Sequence, residues 1–240
     1  MGRSSAPESV PVRPVPDEVV EAILPFASPQ VRAMVQLQQL TGMRPGEVCI
    51  MRVCDIDTQQ QPWVYRPSRH KTQHHHHERV VFFGPRAQQI IQPFMHARNV
   101  AAYLFSPAAA DKARRRRLHK LRVTPLSCGN RPGSNRKRRP KRKPGDRYDT
   151  GSYRRTTAIS YACQAAFPAP PELNAEAARE WNRAHSWHPH RLRHNAATRL
   201  RKDFGIDVAQ VVLGHKTLDV TQGYAEKNLA SAQKVMLEVG

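Results

Sequence analysis

One stretch of the chain, residues 112–148, cannot belong to a hydrophobic core. It contains sixteen lysines and arginines and a single acidic residue, Asp146. Such a density of like charge repels itself and offers little apolar surface to bury. The sequence therefore predicts a basic insertion at 112–148 that is disordered or mobile, and a fold built from the residues on either side of it.

The remainder of the chain is nearly balanced in charge, although the protein as a whole carries a formal charge of +20. A chain this basic typically binds a polyanion, and nucleic acid is the leading candidate. An acidic membrane surface is the rival, but the sequence has no apolar run of membrane-spanning length and no signal peptide. We therefore expect no membrane association. The four cysteines form no CxxC pair, which favours reduced thiols inside the cell.

Two interpretations of the basic insertion stay open. It is either an arm that contacts DNA phosphates, with salt-dependent affinity, or a loop that the fold merely tolerates. If it is an arm, the DNA-binding side chains are those of its two densest runs, Arg114, Arg115, Arg116, Arg117, Arg136, Lys137, Arg138 and Arg139.

The patterned parts of the chain predict an α+β fold that is mainly helical. Apolar spacing and capping signals predict helices in segments 16–27, 28–42, 44–57, 85–98, 151–167, 188–205, 207–215 and 217–239. Segments 62–72 and 78–84 instead predict two strands around a polar turn, and 103–105 is strand-like. The result is a small antiparallel β-sheet near the N-terminal side of a helical domain.

Four separated stretches contain the residue types that handle phosphate chemistry. "TGMRPGEV" places Arg44 at the start of a helix, and "RHKTQHHHHERVV" places Lys71 in the turn of the strand pair. "HPHRLRHNAAT" contains His190 and Arg193, and "LGHKTLDVTQGYAE" contains His215 and Tyr224. Taken singly, each has an ordinary explanation: a helix cap, a surface lysine, a buried tyrosine. Only the joint pattern raises the functional interpretation above these.

The order Arg, Lys, HxxR, LGH, Tyr resembles the catalytic domain of the tyrosine recombinases, the phage integrase family. The resemblance runs from about Pro16 to about Glu226 and is interrupted by the basic insertion. It implies a site-specific recombinase of mobile elements that breaks and rejoins double-stranded DNA through a 3′-phosphotyrosyl intermediate. It also implies a tetramer on the recombination sites, a prokaryotic, nucleoid-associated cytoplasmic location, and no cofactor or metal.

The resemblance assigns a role to each motif residue. Tyr224 is the nucleophile, Arg44 and Arg193 bind the scissile phosphate, and Lys71 protonates the leaving 5′-oxygen. His190 assists proton transfer at the tyrosine, and His215 donates a hydrogen bond to a phosphate oxygen. Guanidinium groups suit such a site because they are permanently charged and donate two parallel hydrogen bonds.

Neighbouring residues receive supporting roles. We expect Glu47 to orient Arg44, His194 to be a packing residue behind the site, and Arg191 to lie on the surface or contact the DNA backbone. Pro189 suits the first position of its helix, with His188 at the cap. Leu192, Ala196 and Leu200 form the apolar stripe that anchors this helix in the core.

The run His74–His77 raises the question of a metal site. Adjacent residues of a strand point to alternate sides and cannot converge on one ion. We therefore interpret the run as the tip of the hairpin, with incidental metal affinity and a possible DNA contact.

The domain organisation expected from the sequence has three parts. Residues 1–15 form a flexible Pro/Ser tail, residues 16–240 form the catalytic domain, and the N-terminal DNA-binding domain common in the family is absent. We accordingly expect weak, phosphate-dominated DNA binding. The C-terminal segment packs on its own domain or on a neighbouring protomer, and both stay open. The alternatives to a recombinase are a truncated DNA-binding remnant without turnover and a type IB topoisomerase.

Overall fold

The computed structural model describes residues 14–69, 78–95, 99–125, 145–154, 158–214 and 233–239. Over these ranges the fold is α+β and mainly helical, as the sequence predicts. The helices are α1 (Asp17–Ile23), α2 (Pro29–Thr41), α3 (Pro45–Cys49), α4 (Pro85–Ile91), α5 (Pro107–Lys120), α6 (Thr150–Arg154), α7 (Ile159–Ala166), α8 (Ala175–Ala184), α9 (His190–Phe204), α10 (Ile206–Leu213) and α11 (233–239). The strands are β1 (Ile56–Asp57), β2 (Trp63–Tyr65) and β3 (Val81–Phe83).

Helix α2 lies at the centre of the fold. The Ser28 hydroxyl caps its first turn by accepting from the Val31 amide, Pro29 follows, and Gly42 ends it in the left-handed conformation, as predicted. Nine of its thirteen residues are buried, because α2 packs on α4 on one side and on α9 on another.

Gly42 is the point where three helices meet. Its φ is +63°, and a Cβ there would lie 2.3 Å from Leu213 Cδ2 and 3.1 Å from Ala196 Cβ. The position therefore requires glycine twice, for its backbone conformation and for the close approach of α9 and α10.

The three strands form one antiparallel sheet in the order β1-β2-β3, which confirms the predicted strand pair. Val64 and Phe82 face one apolar cluster with α10, while Tyr65 and Phe83 face the larger cluster around α2. The sheet thus separates two cores, and alternation along each strand divides its side chains between them. The predicted strand-like segment appears as a single bridge between Tyr103 and Arg52.

Part of the basic insertion is regular structure rather than the expected disordered or mobile segment. Residues 112–120 form the last nine of the fourteen residues of α5, and Tyr148 is buried. Helix α5 itself buries no residue, because its arginines extend into solvent. Residues 126–144, with Arg136 to Arg139, lie outside the described residues.

The predicted helix over 151–167 is two helices in the structure. Helix α6 ends at Arg154 and α7 begins at Ile159, after Ala158 with a non-helical backbone. The two helices differ in packing: α6 lies against α3, and α7 lies against α1.

Both ends of the described chain pack on the domain. Val15 is buried and exchanges hydrogen bonds with the side chain of Asn195 on α9. Val235 and Met236 of α11 are buried in the cluster formed with α10. Among the described helices, none is both long and apolar enough to cross a membrane.

Candidate active site

Arg44 is held in place by the residues that start α3. It is the residue before the helix, and Pro45 fixes the first helical position. The Glu47 carboxylate accepts the Arg44 backbone N–H at 2.8 Å and its Nη1 at 2.9 Å. Because one carboxylate fixes both backbone and side chain, Arg44 has little freedom to leave this position.

The loop before Arg44 is fixed from α2. Gln38 Nε2 donates to the Met43 carbonyl at 2.9 Å, and its Oε1 accepts from the Tyr153 hydroxyl at 2.8 Å. The Thr41 hydroxyl accepts from the Met43 amide at 3.3 Å. These buried polar groups satisfy one another and define the path of the loop.

His190 and Arg193 lie on the first turn of α9, which begins one residue later than predicted. Pro189 occupies the cap and His190 is the first residue of the helix. The reason is that the amides of Arg191 and Leu192 donate to the carbonyls three residues earlier, as in a 3₁₀ turn, rather than four residues earlier. The predicted stripe of Leu192, Ala196 and Leu200 is confirmed, since all three are fully buried.

Arg193 is a buried guanidinium that binds two backbone carbonyls. Nη1 donates to the Gly42 carbonyl at 2.9 Å, and Nη2 donates to the Leu213 carbonyl at 2.5 Å. Burial, and then repulsion from Arg44 and Arg79, lowers the pKa of Arg193 to about 9, so that the group is still cationic at neutral pH. Arg193 therefore links the C-terminal ends of α2 and α10 with its positive charge retained.

Arg44, His190 and Arg193 line one open cleft of about 710 Å³. Its other walls come from α6 and from the segment before α9, with Thr150, Arg154 and His188. Burial, followed by the positive charges of His194 and Arg193, lowers the pKa of His190 below its ordinary 6.5. The cleft is thus cationic and carries a neutral imidazole at physiological pH, an arrangement suited to an anion that exchanges a proton nearby.

A buried ion-pair network supports the cleft from behind. Arg79, at 4% exposure, places Nε 3.4 Å from each Glu47 carboxylate oxygen, and its Nη1 donates to the Val80 and Val212 carbonyls at 2.9 Å. Burial alone would raise the pKa of Glu47, but Arg79 and the hydrogen bonds from Arg44 outweigh it and hold that pKa below its ordinary value. Glu47 is therefore a carboxylate between two arginines.

Arg79 was not predictable from the motifs of the sequence. Its only local signal is a charged residue at the entrance to a buried strand, and its partner Glu47 is 32 positions away. Arg79 also restricts the residue that follows α10 to glycine, because a Cβ at Gly214 would lie 2.8 Å from Nη1 of Arg79.

The other predicted neighbours of the site have identifiable contacts. Arg191 donates from Nη2 to the Pro14 carbonyl at 2.7 Å, and the His194 ring meets the His190 ring edge to face at 5.2 Å between centroids. On the exposed side of α5, Arg114 and Arg115 both pair with Asp111, at 3.3 and 2.8 Å. Arg116 and Arg117 are exposed on the same helix.

Three predicted catalytic residues lie outside the described residues. Lys71 falls between the two strands of the hairpin, after residue 69 and before residue 78, together with His74–His77. His215 is the second residue after the end of α10, and Tyr224 lies between α10 and α11 in the sequence. In the described part of the chain, no three His, Cys, Asp or Glu side chains are grouped so that they could hold a metal ion.

Comparison with known families gives a match to the phage integrase family, over residues 15–124 and 172–230. These two ranges cover well over half of the chain and contain all six predicted catalytic residues. The unmatched gap between them includes α6 and α7. No curated protein matches the chain.

Proposed function

Because this chain belongs to the phage integrase family of tyrosine recombinases, we propose that it cuts and rejoins DNA at specific sites through a covalent phosphotyrosyl intermediate. One observation carries this proposal. Arg44 and Arg193 come from distant parts of the sequence, yet both line one cationic cleft together with His190. A phosphodiester is an anion of the charge and hydrogen-bonding capacity that such a cleft accepts.

The two arginines stabilise the attacked phosphate. Negative charge builds up on its non-bridging oxygens as a fifth oxygen approaches, and preorganised guanidinium donors oppose that charge most strongly when they are partly shielded from water. Arg193 is buried and Arg44 is fixed by Glu47, so neither has to reorganise during the reaction.

Tyr224 supplies the attacking oxygen. The Tyr224 hydroxyl attacks phosphorus, a 3′-phosphotyrosyl bond forms, and the bond from phosphorus to the 5′-oxygen breaks. His190 takes the proton of the tyrosine, and Lys71 gives a proton to the leaving 5′-oxygen. His215 donates a hydrogen bond to a non-bridging oxygen. The 5′-hydroxyl of another strand then reverses these steps and restores a phosphodiester, so that the bond energy is conserved.

The lowered pKa of His190 supports its role as the proton acceptor. A histidine that is neutral at pH 7 has a free ring nitrogen for the tyrosine proton, whereas a protonated one does not. Burial of His190, together with the positive charge of Arg193 and Arg44, lowers its pKa and makes the neutral form the stable one at pH 7.

DNA binding extends beyond the scissile phosphate. The arginines of α5, Arg114 to Arg117, and the run Arg136 to Arg139 are proposed to contact the backbone, with Arg191 a further contact near the site. The catalytic domain spans 16–240 with the basic insertion inside it, and four copies act together on paired recombination sites.

Trapping of the covalent intermediate tests the proposal. DNA duplexes that carry a randomised region and a nick lose the short leaving strand after cleavage, so that an adduct accumulates and the attached sequences identify the site. We expect an adduct for the wild type and none for Tyr224→Phe, a variant that removes only the attacking oxygen.

Other outcomes would refute the assignment. No adduct on any sequence would support a DNA-binding remnant without turnover. Relaxation of a supercoiled plasmid without a second recombination site, at a rate independent of sequence, would support a type IB topoisomerase instead.

A further inference from the structure

A second cleft adjoins the catalytic one. It has a volume of about 480 Å³ and lies between α7, α8 and the segment that leads into α9. Arg154 and His188 line both clefts, so that the two are continuous at these residues. The further lining residues that matter here are Ser160, Arg179, Arg183 and Trp187.

Helix α8 presents a basic face to this cleft. Asn182 and Arg183 lie three and four residues after Arg179, so that both share a side of the helix with it. Trp181 points elsewhere, donating from Nε1 to the Phe167 carbonyl at 3.2 Å and stacking on His185. No residue of α8 is buried, so the core does not dictate the identity of its polar side chains.

The arginines of the cleft lack carboxylate partners in the described part of the chain. Glu176 and Glu180 lie three residues before Arg179 and Arg183, a spacing that permits ion pairs. Nevertheless, none of Arg154, Arg179 and Arg183 lies within 4.0 Å of a described carboxylate. No acidic side chain lines the cleft, and its net charge is therefore positive.

Trp187 provides an independent observation. Its side chain lines the cleft at 4% exposure, and its indole Nε1 has no hydrogen-bond partner among the described residues. An indole N–H can only donate, and a buried donor without an acceptor costs free energy. The cleft therefore combines positive charge with a wall residue whose buried N–H donor has no acceptor among the described residues.

We propose that this second cleft binds a phosphate of the DNA backbone next to the one that Arg44 and Arg193 bind. Arg179 and Arg183 supply the charge, Trp187 supplies a neutral donor, and Arg154 stands between the two phosphates. This inference rests on the proposed function for the neighbouring phosphate. Three of the lining residues, Arg154, Ser160 and Gln164, lie in the range that the family match does not cover, whereas Arg179, Arg183 and Trp187 lie within it.

The salt dependence of DNA binding tests the subsite. The affinity of the full chain for a short mixed-sequence duplex is measured by fluorescence anisotropy over a range of salt concentrations. Loss of one phosphate contact reduces the slope of log K against log salt by about 0.9. We expect this reduction for the double variant Arg179→Ala/Arg183→Ala, whose helix retains its fold because alanine favours helix and neither side chain is buried.

Two control variants separate a phosphate contact from a general loss of charge. Arg86→Ala/Arg201→Ala removes the same charge from exposed positions outside the cleft and leaves the slope unchanged. Arg179→Lys/Arg183→Lys keeps the charge in the cleft and retains the wild-type slope. The proposal is overturned if the alanine variant in the cleft behaves like the Arg86/Arg201 control.

The indole signal of Trp187 distinguishes backbone phosphate from free phosphate. The chain has three tryptophans, and Trp187→Phe assigns the Nε1–H signal in a proton–nitrogen NMR spectrum. We expect the signal to shift with the duplex and not with inorganic phosphate at equal phosphate concentration. A shift with inorganic phosphate alone, or no shift with either, overturns the assignment.

These measurements do not depend on cleavage. A slope that falls as expected, with no Tyr224 adduct, would leave the phosphate subsite standing and remove the proposed reaction. An adduct together with an unaltered slope would support the proposed reaction and overturn the phosphate subsite.

Discussion

Substitution of Glu47 by glutamine tests the network behind the catalytic cleft. Glu47 is 2% exposed and pairs with Arg44 at 2.9 Å and with Arg79 at 3.4 Å. Glutamine has the same shape but no charge, so two guanidiniums lose their counter-charge, and one of them, Arg79, is itself buried. The side-chain amide also brings a donor among groups that already donate.

The expected cost follows from this burial. Removal of one partner of a buried ion pair costs about 3–5 kcal/mol, because the other charge is left uncompensated. The glutamine oxygen can still accept one of the hydrogen bonds from Arg44. We therefore expect the free energy of unfolding to fall by about 3 kcal/mol, at the lower end of that range.

Urea denaturation at pH 7, followed by tryptophan fluorescence, measures this loss. The matched control is Glu78→Gln, since Glu78 pairs with Arg66 at 3.0 Å but is 70% exposed. An exposed pair contributes at most about 1 kcal/mol. A loss for Glu47→Gln no larger than that of the control would refute the inference that the network is a buried, mutually dependent unit.

The pH dependence gives the same prediction a second readout. The pKa of Glu47 is lower in the folded protein than its ordinary 4.5, so that the unfolded chain binds the proton first as the pH falls. The stabilisation is present above pH 4.5 and is lost as the pH drops through the folded pKa. Glu47→Gln should lack this acid-dependent part of the stability curve, and the double variant with Arg79→Met should lose less than the sum of the two single losses.

Three further predictions concern other parts of the structure. Gly42→Ala should lower the free energy of unfolding by more than about 2 kcal/mol, because left-handed backbone strain of about 1–2 kcal/mol adds to the contact with Leu213. Thermal denaturation measures this loss; a loss of no more than about 1 kcal/mol, the lower end of the backbone strain alone, would contradict this reasoning. The rate of adduct formation should be constant near pH 7 and decline only below pH 6.5, because the pKa of His190 is lowered. Rapid-quench measurements of the rate against pH check this. If the rate already declines above pH 6.5, and declines in the same way in His190→Gln, protonation of His190 is not the cause. In native protein, iodoacetamide should label Cys54, which is exposed, and spare Cys49, because burial raises the pKa of the Cys49 thiol to about 12. Mass spectrometry before and after denaturation checks both sites, and rapid native labelling of Cys49 would show that α3 opens.

The sequence predicted those features that depend on short-range patterns. The helix from Pro29 to Thr41 was predictable because Ser28 caps it, apolar residues recur at helical spacing, and Gly42 ends it. The strand pair and the buried stripe of α9 follow from periods of two and of three to four residues. The predicted helix over 151–167 was wrong in one respect, because helical spacing continues through Ala158 while the backbone there is not helical.

The basic insertion shows where charge alone gives an incomplete prediction. Residues 112–120 repel one another and bury nothing, yet they continue a helix that starts at Pro107 with a Ser106 cap. Arginine and lysine are good helix formers when they extend into water, and Asp111 pairs with two of the arginines. High charge density therefore excluded a core at this position but did not exclude a helix.

The sequence by itself determined the order of the motif residues and the family to which they point, and for Arg44, His190 and Arg193 it also predicted the helices at which they lie. Only the tertiary structure decided that Arg44 and Arg193 share a cleft, that Arg79 supports Glu47 from another strand, and that Arg179 and Arg183 flank a second cleft with Trp187. The reason is physical. Helix and strand signals act over a few neighbouring residues, whereas ion pairs and clefts form between groups that chain folding brings together across long stretches of sequence.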